Sequence, residues 1–227
     1  PLILFENGGF NTGHGHLRTP NSIGSYAALA AIILQANQNE QHGGQSIPNF
    51  DYAMAPGVNK SFRKALKSNL QKYNDFTGAD LQIEIPDDIE YKKDESRLTE
   101  LGIPEGVIKE SNEDVEKQAF QAMEGFIHNL NTMHSRAGAQ VPFTSINFGT
   151  DTTEAGRLVS RALLDATEAG LGHGETPIFP ISIFKVKEGL NYNPGDPNYD
   201  LFKRSMEVSA KRLFPNFVFI DAPFNLK

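Results

Sequence analysis

The sequence predicts an α/β fold with mostly parallel strands, open or closed into a barrel. Three observations predict it. Strand-like and helix-like stretches alternate through the second half. Ile178 to Val186 is a near-continuous apolar run, the kind found in strands covered on both faces. At 227 residues, with 39% apolar and 10% aromatic content, the chain can bury a sizeable core as one large domain or two small ones.

The elements follow in chain order. Residues 6 to 18 read as a Gly- and Asn-rich loop. Thr19-Pro20 reads as an N-cap followed by Pro at the first helical position, opening a helix from Ser22 to about Gln41. Tyr26 to Leu34 is apolar nearly all round, so this helix should be covered on more than one side. His42-Gly43-Gly44 stops it. Gln45 to Tyr52 reads as a strand interrupted by Pro48, and Ala55-Pro56-Gly57 as a turn. Val58 to Phe76 is an amphipathic basic helix with Phe62, Leu66, Leu70 and Tyr73 on one side.

Residues 78 to 111 are charged and broken by Pro86 and Pro104. They predict short helices or a mobile surface excursion, and 79–110 reads as a charged insertion. Ser111-Asn112-Glu113-Asp114 is a helix-start signal for a helix reaching Ser135. Val141 to Phe148 follows as a strand. Asp151 with Glu154 predicts a capping pair for a helix ending near Gly170. Asp196-Pro197 opens a helix over roughly Asn198 to Leu213, and Phe217 to Asp221 is the last strand.

Net charge is −7, which disfavours nucleic acid or an anionic membrane surface as partner, and no apolar run is long enough to span a bilayer. No secretory signal is visible, which gives a cytoplasmic expectation. The chain has no cysteine, so it has no thiolate metal site and no cysteine nucleophile. It begins at Pro1-Leu2-Ile3 and ends at Asn225-Leu226-Lys227, both beside core-like segments, and so reads as a piece of something longer, with a complete protein that has lost its Met as the alternative.

Two stretches are candidate ligand contacts. Gly43, Gly44, Gln45 and Ser46 could let backbone approach a ligand, or simply stop a helix and turn. In Thr144 to Asp151, Ser145, Asn147 and Gly149 share one strand face, while Thr144, Ile146, Phe148 and Thr150 share the other. A Ser-Asn-Gly face suits a ligand crevice at the carboxyl end of a parallel strand, or a half-exposed edge. Weaker signals read as structure. Gly13-His14-Gly15-His16 and His173 read as loop residues rather than metal ligands. Arg157 and Arg161, one turn apart, read as a solvated or salt-bridged helix face rather than a phosphate grip. The basic run Lys60, Arg63, Lys64, Lys67 and Lys72 reads as a solvated face, and the glycines at 8 to 15 lack a P-loop's Lys-Ser/Thr.

Ordered stretches carry a family resemblance. They are His42-Gly43-Gly44-Gln45-Ser46-Ile47-Pro48, Ala55-Pro56-Gly57-Val58, Asn131-Thr132-Met133-His134-Ser135-Arg136-Ala137-Gly138, Gln140 to Asp151, Thr153-Glu154-Ala155-Gly156-Arg157, Thr176 to Lys185 and Gly195 to Phe202. Together they resemble the anaerobic (class III) ribonucleoside-triphosphate reductases, the glycyl-radical form. The resemblance implies roughly the first half of a ten-stranded α/β barrel, in which two antiparallel sets of five parallel strands surround a finger loop. It implies an enzyme that makes dNTPs from NTPs: a glycyl radical, installed by a radical-SAM activase, generates a thiyl radical that removes a ribose hydrogen, and the 2′-hydroxyl leaves as water. Formate or a dithiol supplies the reducing equivalents. The thiyl cysteine, radical glycine and zinc-binding cysteines lie outside this chain, so no catalytic residue is expected within it and the chain alone should be inactive. Substrate-contacting positions carried over are Gly43, Gly44, Gln45, Ser46, Thr144, Ser145, Asn147, Gly149 and Thr150. Backbone amides near Gly149 to Thr153 could meet phosphate, although Asp151 and Glu154 oppose an anion there. A dNTP or ATP effector and a homodimer through helix 22–41 are also implied. Two alternatives stand beside this reading: a non-catalytic nucleotide-binding regulatory homologue, and a glycyl-radical enzyme of the formate-lyase type.

Overall fold

The computed structural model describes residues 10–11, 16–40, 43–134 and 140–225. Within the Gly-rich beginning, β1 (Phe10–Asn11) pairs antiparallel with β2 (His16–Leu17). The remaining elements are α1 (Ile23–Glu40), β3 (Gln45–Ile47), α2 (Phe50–Thr77), α3 (Glu95–Glu100), α4 (Glu105–Thr132), β4 (Thr144–Phe148), α5 (Glu154–Ala169), β5 (Ile181–Val186), α6 (Tyr199–Arg212) and β6 (Asn216–Phe219). Strands β3 to β6 form one parallel sheet in sequential order.

Sequential order has a geometric consequence. Parallel crossovers are right-handed, so successive connections in one direction place their helices on the same face. Burial along the strands agrees. Thr144, Ile146 and Phe148 of β4 are buried, as are Ser182, Phe184 and Val186 of β5, while the alternating residues are only partly buried. Under the covered face α2 packs on α4 and α5, α1 on α2 and α4, and α6 on α5. Phe50 lies against Phe126 with ring centroids 5.0 Å apart, and Phe148 meets Phe184 edge-on at 5.5 Å. The apolar run Ile178 to Val186 is therefore covered on one face only. Ile178 is exposed, and Ile181 and Ile183 are half-buried on the face without helices.

Several local signals are overridden by packing. Helix α1 starts at Ile23, and its cap is Ser22 rather than Thr19: the Ser22 hydroxyl accepts from Ser25 N–H (3.3 Å) and the Ser25 hydroxyl accepts from Ser22 N–H (3.0 Å), a reciprocal box. The strand expected over Gln45 to Tyr52 ends at Ile47, and Ala55-Pro56-Gly57 lies inside α2. An interior Pro costs about 3 kcal/mol. Here it is offset by burial of Phe50, Met54, Val58 and Phe62, and by Gly57, where a Cβ would stand 2.9 Å from the Tyr26 ring. Helix α4 begins six residues earlier than its polar signal, behind Pro104. Ser111 and Asp114 are mid-helix because both receive Asn69 Nδ2 of α2, at 3.1 and 3.0 Å. Helix α5 is capped by Thr153, whose hydroxyl accepts from Gly156 N–H, and not by Asp151. The charged stretch 79–110 carries α3 and contributes Ile85, Ile89, Tyr91, Leu98 and Ile103 to the core.

Candidate functional site

The carboxyl end of β4 meets a loop whose backbone groups from Gly149 to Asp151 are engaged by side chains. Gly149, Thr150 and Asp151 donate their N–H groups to one oxygen of Asp51, at 2.8, 3.1 and 3.0 Å. Asp51 itself is fully buried at the start of α2, and its other oxygen accepts from Tyr52 N–H. The carbonyls of the same loop are taken as well. Gly149 O receives Asn191 Nδ2 and Asn198 Nδ2, Thr150 O receives the Tyr52 hydroxyl, and Asp151 O receives Asn198 Nδ2. Arg157 in turn donates to Asn198 Oδ1 at 2.8 Å. Gly149 is required here: its φ is +106°, and a Cβ would stand 2.7 Å from the Phe184 ring.

This arrangement corrects one expectation. The amides of residues 149 to 151 resemble an anion nest, but an internal carboxylate fills it, and Thr153 N–H goes to Asp151 Oδ1 at 2.9 Å. No phosphate can take those donors while Asp51 holds them. Burial raises the Asp151 carboxyl above the usual range, against the lowering pull of Thr153 and with a further push from Asp51.

The face without helices presents a different set. In register across the strands it carries Ser46, then Ser145 and Asn147, then Ile181, Ile183 and Lys185, then Asn216 and Val218. Ser46 stands directly opposite Ser145. Asn147 Oδ1 is buried without a hydrogen-bond partner among the described residues. Lys185 is the one ionisable side chain among these strand positions, and its ammonium donates to Asn49 Oδ1 just beyond β3. Burial pulls the Lys185 ammonium below its ordinary value, and the charge of Asp51 opposes that pull.

Of the expected contacts, the structure brings Ser46, Ser145 and Asn147 together on one face. It separates others. Thr144 is fully buried on the helix-covered face, as the alternation of the strand requires. The side chain of Gln45 turns to α1, donating to Leu34 O and accepting from Asn37, both at 2.8 Å. Thr150 is buried and held by Asp51 and Tyr52. Gly43 has φ +102° with open space about it, and Gly44 approaches the Phe143 ring. A cavity of about 380 Å³ between α1 and β3 is lined in part by Gly44, Gln45 and Ser46.

The weaker signals resolve into structure. Arg157 and Arg161 both pair with Asp200, at 2.9 and 3.1 Å. In the basic run, Lys60 donates to Pro20 O and the Tyr26 hydroxyl, Arg63 to Ile89 O and Lys72 to Asn69, so that face is partly tied down rather than simply solvated. His173 is exposed in a turn. Gly13, His14 and Gly15 lie outside the described residues. Among the described residues no group of three or more His, Asp or Glu could hold a metal, and no helix is long and apolar enough to cross a membrane.

Sequence reasoning missed Asp51, Asn191, Asn198, Tyr52 and Lys185. Lys185 did leave a signal: it is the single charge in Ile181 to Val186, spaced by two from Ile183 and Ile181 and so on their face.

A four-stranded parallel sheet coated by helices on one side, with polar side chains on the other, defines an α/β protein. Comparison with known proteins narrows this. The sequence model of the family "Anaerobic ribonucleoside-triphosphate reductase" matches residues 3–227, and the chain belongs to that family. It is 32% identical over 214 residues to the anaerobic ribonucleoside-triphosphate reductase of Haemophilus influenzae, covering 94% of this chain and 26% of that protein. It is 30% identical over 216 residues to that of Enterobacteria phage T4, covering 95% of this chain and 30% of the relative. The chain thus spans between a quarter and a third of the length of these relatives. The fold is similar to the anaerobic ribonucleotide reductase from Thermotoga maritima in complex with dATP and CTP, with a TM-score of 0.56 at 14% identity, covering 97% of this chain and 32% of that one.

Proposed function

We propose that this chain is one section of the catalytic barrel of an anaerobic ribonucleoside-triphosphate reductase, and that the helix-free face of its sheet lines the substrate cavity. The observation that carries the reading is the row Ser46, Ser145 and Asn147 on that face, with Asn147 Oδ1 buried and unpaired among the described residues. A buried acceptor without a donor is costly unless a ligand or further chain supplies one. A ribonucleotide offers sugar hydroxyls as donors, and the reductase named for the Thermotoga fold neighbour is described with dATP and CTP. The four parallel strands in sequential order are the part of the proposed ten-stranded barrel that this chain would supply.

In this reading the residues bind, orient and shield. Ser145 and Asn147 hold the sugar, and the loop clamped by Asp51 forms a fixed wall at the strand ends, which positions the ribose without reorganisation. The glycyl radical, when present, supplies the hydrogen-abstracting chemistry. The residues here do not fit the radical relay or the zinc: the chain has no cysteine, and the described residues gather no metal cluster. Those parts, the activase and the NTP and dNTP or ATP sites as a whole belong to the longer protein in this proposal. The homodimer through helix 22–41 belongs to it too, supported by the exposed stripe Gly24, Ala28 and Ile32 on α1, beside a groove that Gln121 and Gly125 of α4 line. Membership of the reductase family leaves the formate-lyase alternative without support.

The test uses the full-length polypeptide containing this chain, activated anaerobically and assayed for dNTP formation. Turnover is expected, and Asn147→Ala should lower kcat/KM about tenfold or more, the scale of one lost hydrogen bond in a closed site. Nucleotide binding without turnover supports the regulatory homologue instead, and no nucleotide binding refutes the proposal.

A further inference from the structure

In open α/β sheets an anionic ligand group is ordinarily met at the strand ends by loop amides and the next helix N-terminus. Five of those donors are consumed here. Gly149, Thr150 and Asp151 give their N–H groups to Asp51, Thr153 gives its own to Asp151, and Gly156 to the Thr153 hydroxyl. The carboxylates of Asp151 and Glu154 add negative charge at that helix start. A phosphate cannot take these five amides while the chain's own oxygens hold them.

Lys185 is the ionisable group the strands place on the helix-free face. It sits one residue beyond the Phe148–Phe184 pair, at the carboxyl end of β5. Its ammonium hydrogen-bonds Asn49, which follows β3, so the side chain reaches from β5 toward β3 past the end of the intervening strand β4. At that end stands Gly149, with no side chain to obstruct it. An ammonium has three donors, and Asn49 takes one of them. The half-buried cation is partly stripped of water, a state that gains most from an anionic partner.

We propose that Lys185 is a specificity-determining residue of the site: it receives the phosphate-bearing end of the nucleotide whose sugar lies on Ser145 and Asn147. The assignment rests on the nucleotide reading above and adds to it the group that recognises charge.

The experiment is equilibrium binding to the full-length polypeptide of one nucleoside and its mono-, di- and triphosphates, at two salt concentrations, with wild type, Lys185→Met and Lys185→Arg. Circular dichroism and cooperative unfolding establish that each variant is folded, and Lys185→Gln replaces Lys185→Met if the latter is not. In wild type, affinity should rise with phosphate number and fall with salt. Lys185→Met should lose about tenfold or more of the triphosphate-over-nucleoside preference, with a shallower salt dependence and nucleoside affinity unchanged within about twofold. Lys185→Arg should keep most of the preference. A folded Lys185→Met protein that discriminates as wild type does overturns the assignment of Lys185 and leaves the nucleotide reading standing. A loss equal for nucleoside and triphosphate also overturns it, since that is general damage to the site. Wild type that binds none of the four overturns the nucleotide reading itself, and the assignment with it.

Discussion

Removing the Asp51 carboxylate should collapse the order of the loop after β4, and the size of the effect can be worked out. Asp51→Ala strands the N–H groups of Gly149, Thr150 and Asp151, which Asp51 accepts at 2.8 to 3.1 Å from a fully buried position. A stranded buried donor costs about 1–3 kcal/mol, which sets a ceiling of about 9 kcal/mol. One water admitted to the vacated space can satisfy part of the set, bringing the expected loss to about 3–5 kcal/mol. In a chain of this size that is roughly a 6–20 °C fall in Tm. Thermal unfolding measures it, and amide hydrogen exchange locates it, with faster exchange at residues 149 to 151. Acetate at high concentration should restore stability to Asp51→Ala more than to wild type, because a small carboxylate can re-enter the nest. A variant within about 1 kcal/mol of wild type, with unchanged exchange at these amides, would refute the view that Asp51 organises the loop.

Two further predictions concern the sheet and its surface. Phe184→Ala should cost about 3–5 kcal/mol, since that ring is fully buried among Phe148, Phe202 and Phe217, whereas Ile183→Asp, on the half-buried face, should cost about 1–2 kcal/mol; urea denaturation of both variants tests the one-sided cover, and a larger loss for Ile183→Asp counts against it. Burial alone would raise the Asp200 carboxyl, but the Arg157 hydrogen bond and charge outweigh it and leave it below the usual carboxylate range. A depressed carboxyl stabilises the fold above its unfolded value, near 3.8, and that stabilisation is lost as pH falls through the folded value. Asp200→Asn should therefore lose less than about 1 kcal/mol at pH 7, because Asp200 is nearly half exposed, and should converge with wild type in strong acid; a constant gap across pH would contradict the ion pair's role.

The parts of this molecule that follow local periodicity were legible. The alternation of Ser145 and Asn147 with Ile146 and Phe148 gave the two faces of β4 directly, and the apolar spacing from Phe62 to Leu70 gave the body of α2. Boundaries failed where local punctuation lost to tertiary packing. Pro56-Gly57 has the chemistry of a turn, yet Gly57 is where the Tyr26 ring lies close to α2. Ser111 and Asp114 have the chemistry of a cap, yet they join α4 to Asn69. Thr144 was assigned to the pocket by resemblance although its position in the strand already put it on the opposite face. Asp51 could not be read at all, because its three loop partners lie 98 to 100 residues away and nothing in its own neighbourhood announces them. Asn191 and Asn198 were hidden in the same way, as polar residues in a loop whose bonds reach back more than 40 residues to Gly149.

The one-sided coat of helices separates two selective pressures that most proteins must satisfy with the same side chains. Residues such as Ile146, Phe148 and Phe184 secure folding from beneath the sheet, while Ser46, Ser145, Asn147 and Lys185 stand on its other surface and contribute little to that core. Exchanges on the upper surface can therefore alter chemistry at small thermodynamic risk. Such a scaffold is well suited to diverge in what it recognises while keeping its backbone nearly still.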